Sequence, residues 1–301
     1  MKFRLALALL FVALAPAPPA RAQETRRVSV AVLDMGGTET GARAAERLSK
    51  VLAPAKAGAS LALLDRDLSR AAAKGVGYAG SLNMTLAEAR SLGAAVGCDF
   101  FFTGDAQTIR RSASSRPVYF ESYASVFLVS ARTGELVLWE RPAAEADTHE
   151  RAEAALLAAL DSGFAARFAA ALAAAGAREE RERFEPSASE PSPVIDLSTD
   201  EGAAAHKDLR EPAPYRRLRP AYTEAAYRAE AEATVDALVE VGADGEVSRV
   251  RVVRWAGFGL DEEVVSTVRR MHFRPAEREG EPVAVRVLLR YNFRRPPKPE
   301  R

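Results

Sequence analysis

The stretch from Gly259 to Ala276 constrains the fold most, because it carries a complete helix signal. Its apolar residues recur at helical spacing and share one face: Leu260, Val264, Val265, Val268 and Met271. Acidic residues fill the first turn and two arginines fill the last, which complements the helix dipole. Pro275 ends the pattern because proline has no N–H to donate. A helix with one apolar face needs a second layer, so we expect a sheet nearby.

Alternating segments on both sides of this helix predict that sheet. Thr234–Val241 alternates apolar and polar residues, and Val247–Trp255 returns after the turn Gly242–Gly245. The Asp-Gly pair in the turn tolerates the left-handed backbone that hairpins require. Downstream, Val283–Phe293 alternates like a half-buried strand. We therefore predict an α+β unit in the last third of the chain.

Several short motifs in this region occur in one register. They are Pro220-x-Tyr222, Glu232, Asp244-Gly245, Leu260-Asp261, Val268-Arg269, Phe273-x-Pro275-Ala276 and Gly280. With these motifs, Arg219–Phe293 resembles the C-terminal domain of the TonB family, whose elements follow the order helix, hairpin, helix, strand. The sequence departs from the family at Thr223, where proline is usual, at Ala233, where glycine is usual, and at Met271-His272, which replaces a tryptophan-containing pair.

The first half of the chain predicts an α/β domain, a mixed sheet with flanking helices. Short buried strands alternate with helices, which favours a parallel core; the strands are Val28–Asp34, Leu61–Leu64 and Phe100–Thr103, the last closed by Gly104. An antiparallel pair follows, marked by Tyr119–Val129 and Glu135–Trp139. A single alanine-rich helix is predicted from Thr148 to about Ala175.

Strand ends and turns in this half carry a second, weaker resemblance. The motifs are Val30-Ala31-Val32-Leu33-Asp34, Leu64-Asp65-Arg66, Leu92-Gly93-x-x-x-Gly97-Cys98-Asp99-Phe100, Thr103-Gly104 and Ser130-x-x-Thr133-Gly134-Glu135-Leu136. Over Val28–Leu172 the chain resembles the periplasmic domain of curli-secretion (CsgG-type) lipoproteins. The resemblance implies a fold rather than a role. The sequence shows neither the lipidated cysteine of those relatives nor a stretch that looks like a pore-forming strand insert, so secretion-channel activity is not implied.

The ends and the middle of the chain predict its domain boundaries. Residues 1–22 read as a cleaved signal peptide, with Ala20-Arg21-Ala22 as the cleavage site, and an uncleaved membrane anchor is the alternative. Prolines break residues 177–218 into a polar linker around the apolar island Val194–Leu197. The α/β domain then spans 23–176 and the TonB-like domain 219–301. We expect each domain to have its own hydrophobic core and to fold independently.

Composition and spacing argue against several classes of function. A formal net charge of +1 is unlike a nucleic-acid-binding surface. The three histidines fit no metal template, and no Ser-His-Asp set is visible. Cys98, the single cysteine, reads as a small buried hydrophobe. The sequence therefore predicts no catalytic residues, no metal, no cofactor and no small-molecule substrate, and we expect a protein that is not an enzyme.

The TonB resemblance implies recognition of a protein partner by strand addition to the edge of the small sheet. The candidate residues form the final strand: Val285, Arg286, Val287, Leu288, Leu289, Arg290 and Tyr291. Arg219, Pro220 and Tyr222 at the domain entry are further candidates. Arg286 and Arg290 allow two interpretations, attraction of an acidic partner or protection of an edge strand against aggregation.

Three functional hypotheses follow. The first is an exported periplasmic protein that binds an outer-membrane or periplasmic protein, with a homodimer left open. The second is an energy transducer for outer-membrane transport with a retained N-terminal anchor. The third is an envelope-assembly factor that acts through the N-terminal domain. The N-terminus of the mature protein separates the first two, because only a transducer needs a membrane helix.

Overall fold

The computed structural model describes residues 27–53, 61–113, 116–161, 163–184 and 194–295. The predicted signal peptide, residues 185–193 of the predicted linker and residues 296–301 lie outside the described residues.

The N-terminal region is a mixed sheet with helices on both faces. Its elements are β1 (Val28–Met35), α1 (Glu39–Val51), β2 (Leu61–Leu63), α2 (Arg66–Gly75), α3 (Leu86–Val96), β3 (Phe100–Ala113), β4 (Arg116–Ser130), β5 (Leu136–Glu140), β6 (Ala143–Ala146), α4 (His149–Ala159) and α5 (Phe164–Phe184). The strand order is β2-β1-β3-β4-β5, and β6 also pairs with β4. β1 is parallel to β2 and β3, whereas β4 is antiparallel to β3 and β5.

The C-terminal region is built around a four-stranded sheet in the order β11-β10-β15-β7. Its elements are β7 (Ile195–Asp196), α6 (Asp200–Ala205), β8 (Leu209–Arg210), β9 (Ala213–Pro214), α7 (Glu224–Ala229), β10 (Ala233–Val241), β11 (Val247–Arg254), α8 (Leu260–Arg269), β12 (Phe273–Arg274), β13 (Ala276–Arg278), β14 (Glu281–Val283) and β15 (Val285–Phe293). The apolar face of α8 covers this sheet, and Leu260, Val264 and Val268 are fully buried. The region is mixed α and β, as expected.

Local chemistry explains where several helices begin. Thr85 and Glu88 form the capping box that starts α3, with each side chain bonded to the other's backbone N–H. Thr223, the departure from the family's proline, accepts from the Ala226 N–H at 3.0 Å and so caps α7. Its hydroxyl also donates to the Phe258 carbonyl. The substitution therefore ties the domain entry to the segment before α8.

Two sequence predictions that depended on glycine positions are wrong. β3 does not stop before Gly104 but continues to Ala113. A Cβ at Gly104 would overlap the Ser125 carbonyl oxygen, so this glycine marks a close approach of β4 rather than a strand end. The single alanine-rich helix is in fact α4 and α5, separated around Gly163, whose φ of 51° lies in the left-handed region.

The expected linker 177–218 is wrong over its described residues. Its first part continues α5, and its later part adds three short strands to the C-terminal region. β7 pairs with β15, β8 with β13, and β9 with β12. The physical reason is the apolar island, because Ile195 and Leu197 pack against the C-terminal core. Pro214 is tolerated because β9 is a short strand with one partner.

The expectation of two independent cores is also wrong. One face of the N-terminal sheet packs on α1, α4 and α5 in a cluster of its own. The other face shares one continuous apolar cluster with α2, α3 and the C-terminal region. Phe101 and Phe127 on that face are fully buried, as are Val235 and Val264 in the C-terminal region. Because apolar burial dominates folding free energy, the two regions stabilise one another.

Candidate functional site

The outer edge of β15 is the site that the sequence predicts, and hydrogen bonds define which residues face outward. Ile195 N–H donates to the Ala284 carbonyl at 3.1 Å, and Leu197 N–H donates to the Arg286 carbonyl at 2.8 Å. Backbone groups alternate in direction along a strand. The even-numbered residues of β15 therefore turn their N–H and C=O groups away from β10, and the odd-numbered residues bond to β10.

β7 occupies the beginning of this edge and leaves the rest open. The pairing of β7 stops at Arg286. Beyond it, Leu288, Arg290 and Asn292 point their backbone groups outward, and no strand in the described ranges pairs with that side. β15 is thus an inner strand at its start and an edge strand at its end. The prediction of an edge is corrected for Val285 and Arg286, where the sheet already has a fourth strand.

Side chains of β15 divide between the core and the exposed face. Val285 is buried, and Val287, Leu289 and Tyr291 are half-buried on the same side. Burial raises the pKa of Tyr291, whose hydroxyl lies 3.7 Å from Met271 Sδ. Leu288 is 37% exposed on the other side, where an added strand would meet it.

The two arginines of this strand already have acidic partners. Arg286 contacts Glu240 at 2.7 Å and Asp196 at 3.3 Å. Arg290 binds the buried Asp236 with two nitrogens, at 2.7 and 2.9 Å. These hydrogen bonds raise the pKa of both guanidinium groups. Because each charge is balanced within the sheet, the surroundings favour cross-strand pairing over attraction of an acidic partner.

The three residues of the domain entry differ in position. Arg219 is exposed and Pro220 is half-buried. The Tyr222 hydroxyl donates to the Ala231 carbonyl at 2.7 Å, and its ring lies 6.4 Å from that of Phe293. Tyr222 therefore packs the entry segment against the end of β15, and these contacts are all within the chain.

A seam between the two regions was missed by sequence reasoning. Phe258 packs between Phe127 and Trp139, with ring centroids 5.5 Å from each. Asn83 donates to the Thr234 and Trp255 carbonyls at 2.8 and 2.7 Å and accepts from the Thr234 N–H. The available signal was the triplet from 257 to 259, where an aromatic residue lies between two glycines. All three residues have φ between 55° and 75°.

A half-buried carboxylate, that of Asp261, holds the segment before α8 in place. Asp261 accepts hydrogen bonds from the Ala256 and Gly257 N–H groups at 2.9 and 2.7 Å. Burial raises the pKa of Asp261 to about 7, although the two N–H donors act in the opposite direction. The sequence motif Leu260-Asp261 thus serves the loop before the helix as well as the helix dipole.

A second feature is a groove between the two regions, lined by β5, β11 and α8. Its volume is about 850 Å³. Apolar side chains from all three elements form its walls: Leu136, Leu138, Trp139, Val250, Val252 and Val265. The sequence did not predict this groove, because its walls come from segments more than a hundred residues apart.

No feature of the described residues carries an obvious reaction chemistry. Within those ranges no cluster of His, Cys, Asp or Glu is arranged to hold a metal ion. Burial, assisted by Asp99, raises the pKa of Cys98 to about 12, which is unlike an activated thiol. Among the described helices, none is both long and apolar enough to cross a bilayer.

The C-terminal end of the described chain is thus a small α+β domain with an open sheet edge. Residues 219–294 match the family model described as Gram-negative bacterial TonB protein C-terminal. The TonB resemblance predicted for Arg219–Phe293 is thereby confirmed for this region, which is about a quarter of the chain.

Solved structures with similarity to the chain include three from bacterial proteins. The solution structure of the Pseudomonas aeruginosa TonB C-terminal domain has 22% identity, covers 36% of this chain and 100% of its own, and has a TM-score of 0.26. A lipoprotein from Neisseria meningitidis has 14% identity, coverage of 47% and 98%, and a TM-score of 0.32. The LpoB C-terminal domain from Escherichia coli has 19% identity, coverage of 40% and 83%, and a TM-score of 0.27. No curated protein matches the sequence.

Proposed function

We propose that this protein binds an outer-membrane or periplasmic protein by strand addition to the open part of β15. The observation that supports this proposal is the pairing of β7 with β15, because it shows that this edge already accepts a parallel strand from the same chain. Leu288, Arg290 and Asn292 continue the same row of outward backbone groups. Main-chain hydrogen bonds would supply affinity, and the exposed Leu288 side chain would contribute selectivity.

The match to the TonB C-terminal model supports a role in the envelope of a Gram-negative bacterium. We place the protein in the periplasm, exported through the signal peptide predicted for residues 1–22. Its role is recognition rather than catalysis, without a cofactor or a small-molecule substrate.

The shared core bears on the energy-transducer alternative. A transducer whose C-terminal domain reaches a distant receptor needs that domain to move on a tether. Here Trp255 and Phe258 are buried against the N-terminal sheet. This arrangement favours a protein whose N-terminal domain holds the TonB-like domain in a fixed position. The N-terminal domain would then have a structural role, and the TonB-like domain would bind the partner.

The experiment compares capture of outer-membrane proteins by the full chain and by two variants at one position. Leu288→Pro removes an outward N–H while leaving the bonds between β15 and β10 intact. Leu288→Thr is the matched control, because it changes the side chain but keeps the N–H. We expect the captured protein, identified by mass spectrometry and then titrated, to bind Leu288→Pro at least about tenfold more weakly, and Leu288→Thr within a few-fold of the parent.

Folding is checked first by circular-dichroism melts of all three proteins. A folded Leu288→Pro protein that binds as tightly as the parent would rule out strand addition at this edge. If Leu288→Pro does not fold, a competing peptide copied from the captured protein replaces it, and N-methylation of alternate residues of that peptide must abolish binding.

A further inference from the structure

The groove between β5, β11 and α8 brings together edges from both sheets. β5 ends the strand order of the N-terminal sheet, and β11 ends that of the C-terminal sheet. Glu135, just before β5, contacts Arg251 of β11 at 3.2 Å. The Trp255 indole N–H donates to the Gly134 carbonyl at 3.0 Å. These two contacts hold the strands at one side of the groove, so its shape depends on the docking of the two regions.

The outer edge of β11 presents unpaired backbone groups to this groove. Since the odd-numbered residues of β10 bond to β15, its even-numbered residues bond to β11. Their partners in register include Arg251 opposite Leu238 and Arg249 opposite Glu240. Val250 and Val252 therefore point their N–H and C=O groups away from β10. At its end this side is closed by an isolated bridge between Arg254 and Thr85 and by the Trp255 N–H, which donates to the Met84 carbonyl at 3.1 Å. Along Val250 and Val252, no strand in the described part of the chain pairs with it.

The groove has the dimensions of a short peptide segment. α8 has ten residues, and at about 1.5 Å per residue it spans roughly 15 Å along the groove. That length matches about four to five residues of extended chain. Side chains of an added strand would alternate between the face covered by α8, where Val265 lines the groove, and the opposite face, which suits a segment of alternating apolar and polar residues. Both of the chain's tryptophans, Trp139 and Trp255, also line the groove.

Charge distinguishes the two ends of α8 within the groove. Arg269 and Arg270 are exposed at its C-terminal end, and neither has a carboxylate partner among the described residues. The carboxylates at the other end are Asp261, held by backbone N–H groups, and the exposed Glu262. Two exposed arginines at one end of an apolar groove complement carboxylates on a bound segment.

We propose that this groove binds an extended segment of another protein as a strand added to β11, with acidic residues beside Arg269 and Arg270. This second site lies on the opposite side of the four-stranded sheet from the open edge of β15. It goes beyond the function proposed above, and it requires the N-terminal region because β5 forms one wall.

The test uses a synthetic probe and the tryptophans of the groove. The probe is a blocked peptide of sequence Val-Thr-Val-Thr-Val-Glu-Glu, and its control ends in Lys-Lys. Binding to the full chain is followed by tryptophan fluorescence, since both indoles lie at the groove. We expect saturable binding of the acidic peptide below about 1 mM, and binding of the basic peptide at least about tenfold weaker at low salt.

Two independent changes to the protein test the two parts of the proposal. Val250→Pro removes an outward N–H, and Val250→Thr keeps it as the matched control. We expect Val250→Pro to weaken binding of the acidic peptide at least about tenfold and Val250→Thr to leave it within a few-fold. The double variant Arg269→Glu, Arg270→Glu should reverse the preference between the two peptides. It lies on exposed helix positions, so it remains informative if Val250→Pro does not fold.

Several outcomes would overturn the proposal. One is the absence of saturable fluorescence change with the acidic peptide, and another is equal binding by parent and a folded Val250→Pro protein. A fluorescence change with protein concentration alone, accompanied by a dimer in sedimentation, would assign the groove to a second copy. Leu288→Pro provides the separation from the β15 site, because it should leave peptide binding in the groove unchanged.

Discussion

Trp255 of the C-terminal region stacks on Phe127 of the N-terminal sheet, with ring centroids 5.9 Å apart and planes inclined by 26°. Both side chains are almost completely buried. Aromatic pairs of this kind contribute about 0.5–1.5 kcal/mol beyond the area they bury. This pair joins two regions that the sequence presents as separate domains, so it makes the stability of each depend on the other.

Removing the indole should therefore destabilise the whole described fold. We expect Trp255→Ala to lower the free energy of unfolding by about 3–5 kcal/mol, because it leaves a large cavity and the Gly134 carbonyl loses its donor. Urea unfolding followed by circular dichroism measures the effect. The control Tyr215→Ala removes a side chain that is 72% exposed and should change the free energy by less than about 0.5 kcal/mol. An unaltered midpoint for Trp255→Ala would contradict the shared core.

A methyl group at Gly257 should disturb the same seam. Gly257 has φ of 74°, and a Cβ there would overlap Phe127 Cε1. Gly77 is the matched control, because its φ is 77° and nothing lies within 4 Å of its Cβ position. We expect Gly257→Ala to cost about 1–3 kcal/mol more than Gly77→Ala, since only the first adds a steric overlap to the backbone strain. Equal losses in thermal or urea unfolding would show that Phe127 can move aside.

The hydrogen bonds of Asn83 should stabilise the contact between the two regions. Its amide satisfies the Thr234 and Trp255 carbonyls and the Thr234 N–H. Asn83→Ala leaves these groups without their partner, so we expect a loss of about 1–3 kcal/mol in urea unfolding. Ser81→Ala nearby serves as the control, because the Ser81 hydroxyl makes one exposed contact at 3.4 Å. A change for Asn83→Ala no greater than that for Ser81→Ala would mean that water replaces the amide.

Asp261 should make stability depend on pH. Its folded pKa of about 7 lies above the unfolded value of about 3.9, so the folded protein holds the proton more tightly. The resulting stabilisation is present below about pH 4 and is lost as pH rises through about 7. We expect the urea midpoint to fall between about pH 5 and pH 8, and to fall less in Asp261→Asn, which carries no charge. Parallel pH profiles for the two proteins would refute this assignment.

Cys98 should be a slow nucleophile in the folded protein. A thiol pKa of about 12 leaves almost no thiolate near neutral pH, and the thiolate is the reactive form. We expect alkylation by iodoacetamide at about pH 8 to be at least tenfold slower in buffer than in urea, as measured by intact mass. Rapid labelling of the folded chain would show that the thiol is less buried than the structure has it.

Local features were predictable because they depend on neighbouring residues. The helix after Gly259 follows from the spacing of its apolar residues, the start of α3 follows from Thr85 and Glu88, and the strand ending at Phe293 follows from its alternation. Gly104 and Gly163 show the limit of such reasoning. Glycine permits both a close approach and a left-handed turn, and the sequence does not say which of the two the neighbours require.

The sequence by itself determined the strands β1, β10, β11 and β15 and the helix α8, and which face of each is apolar. It also carried the motifs that place residues 219–294 in the TonB C-terminal family model. Only the tertiary structure decided what covers those faces: Trp255 and Phe258 meet Phe127, β7 covers the start of β15, and β5 faces β11 across a groove. The physical reason is that apolar burial is non-directional, so periodicity identifies a surface that must be covered without identifying its partner.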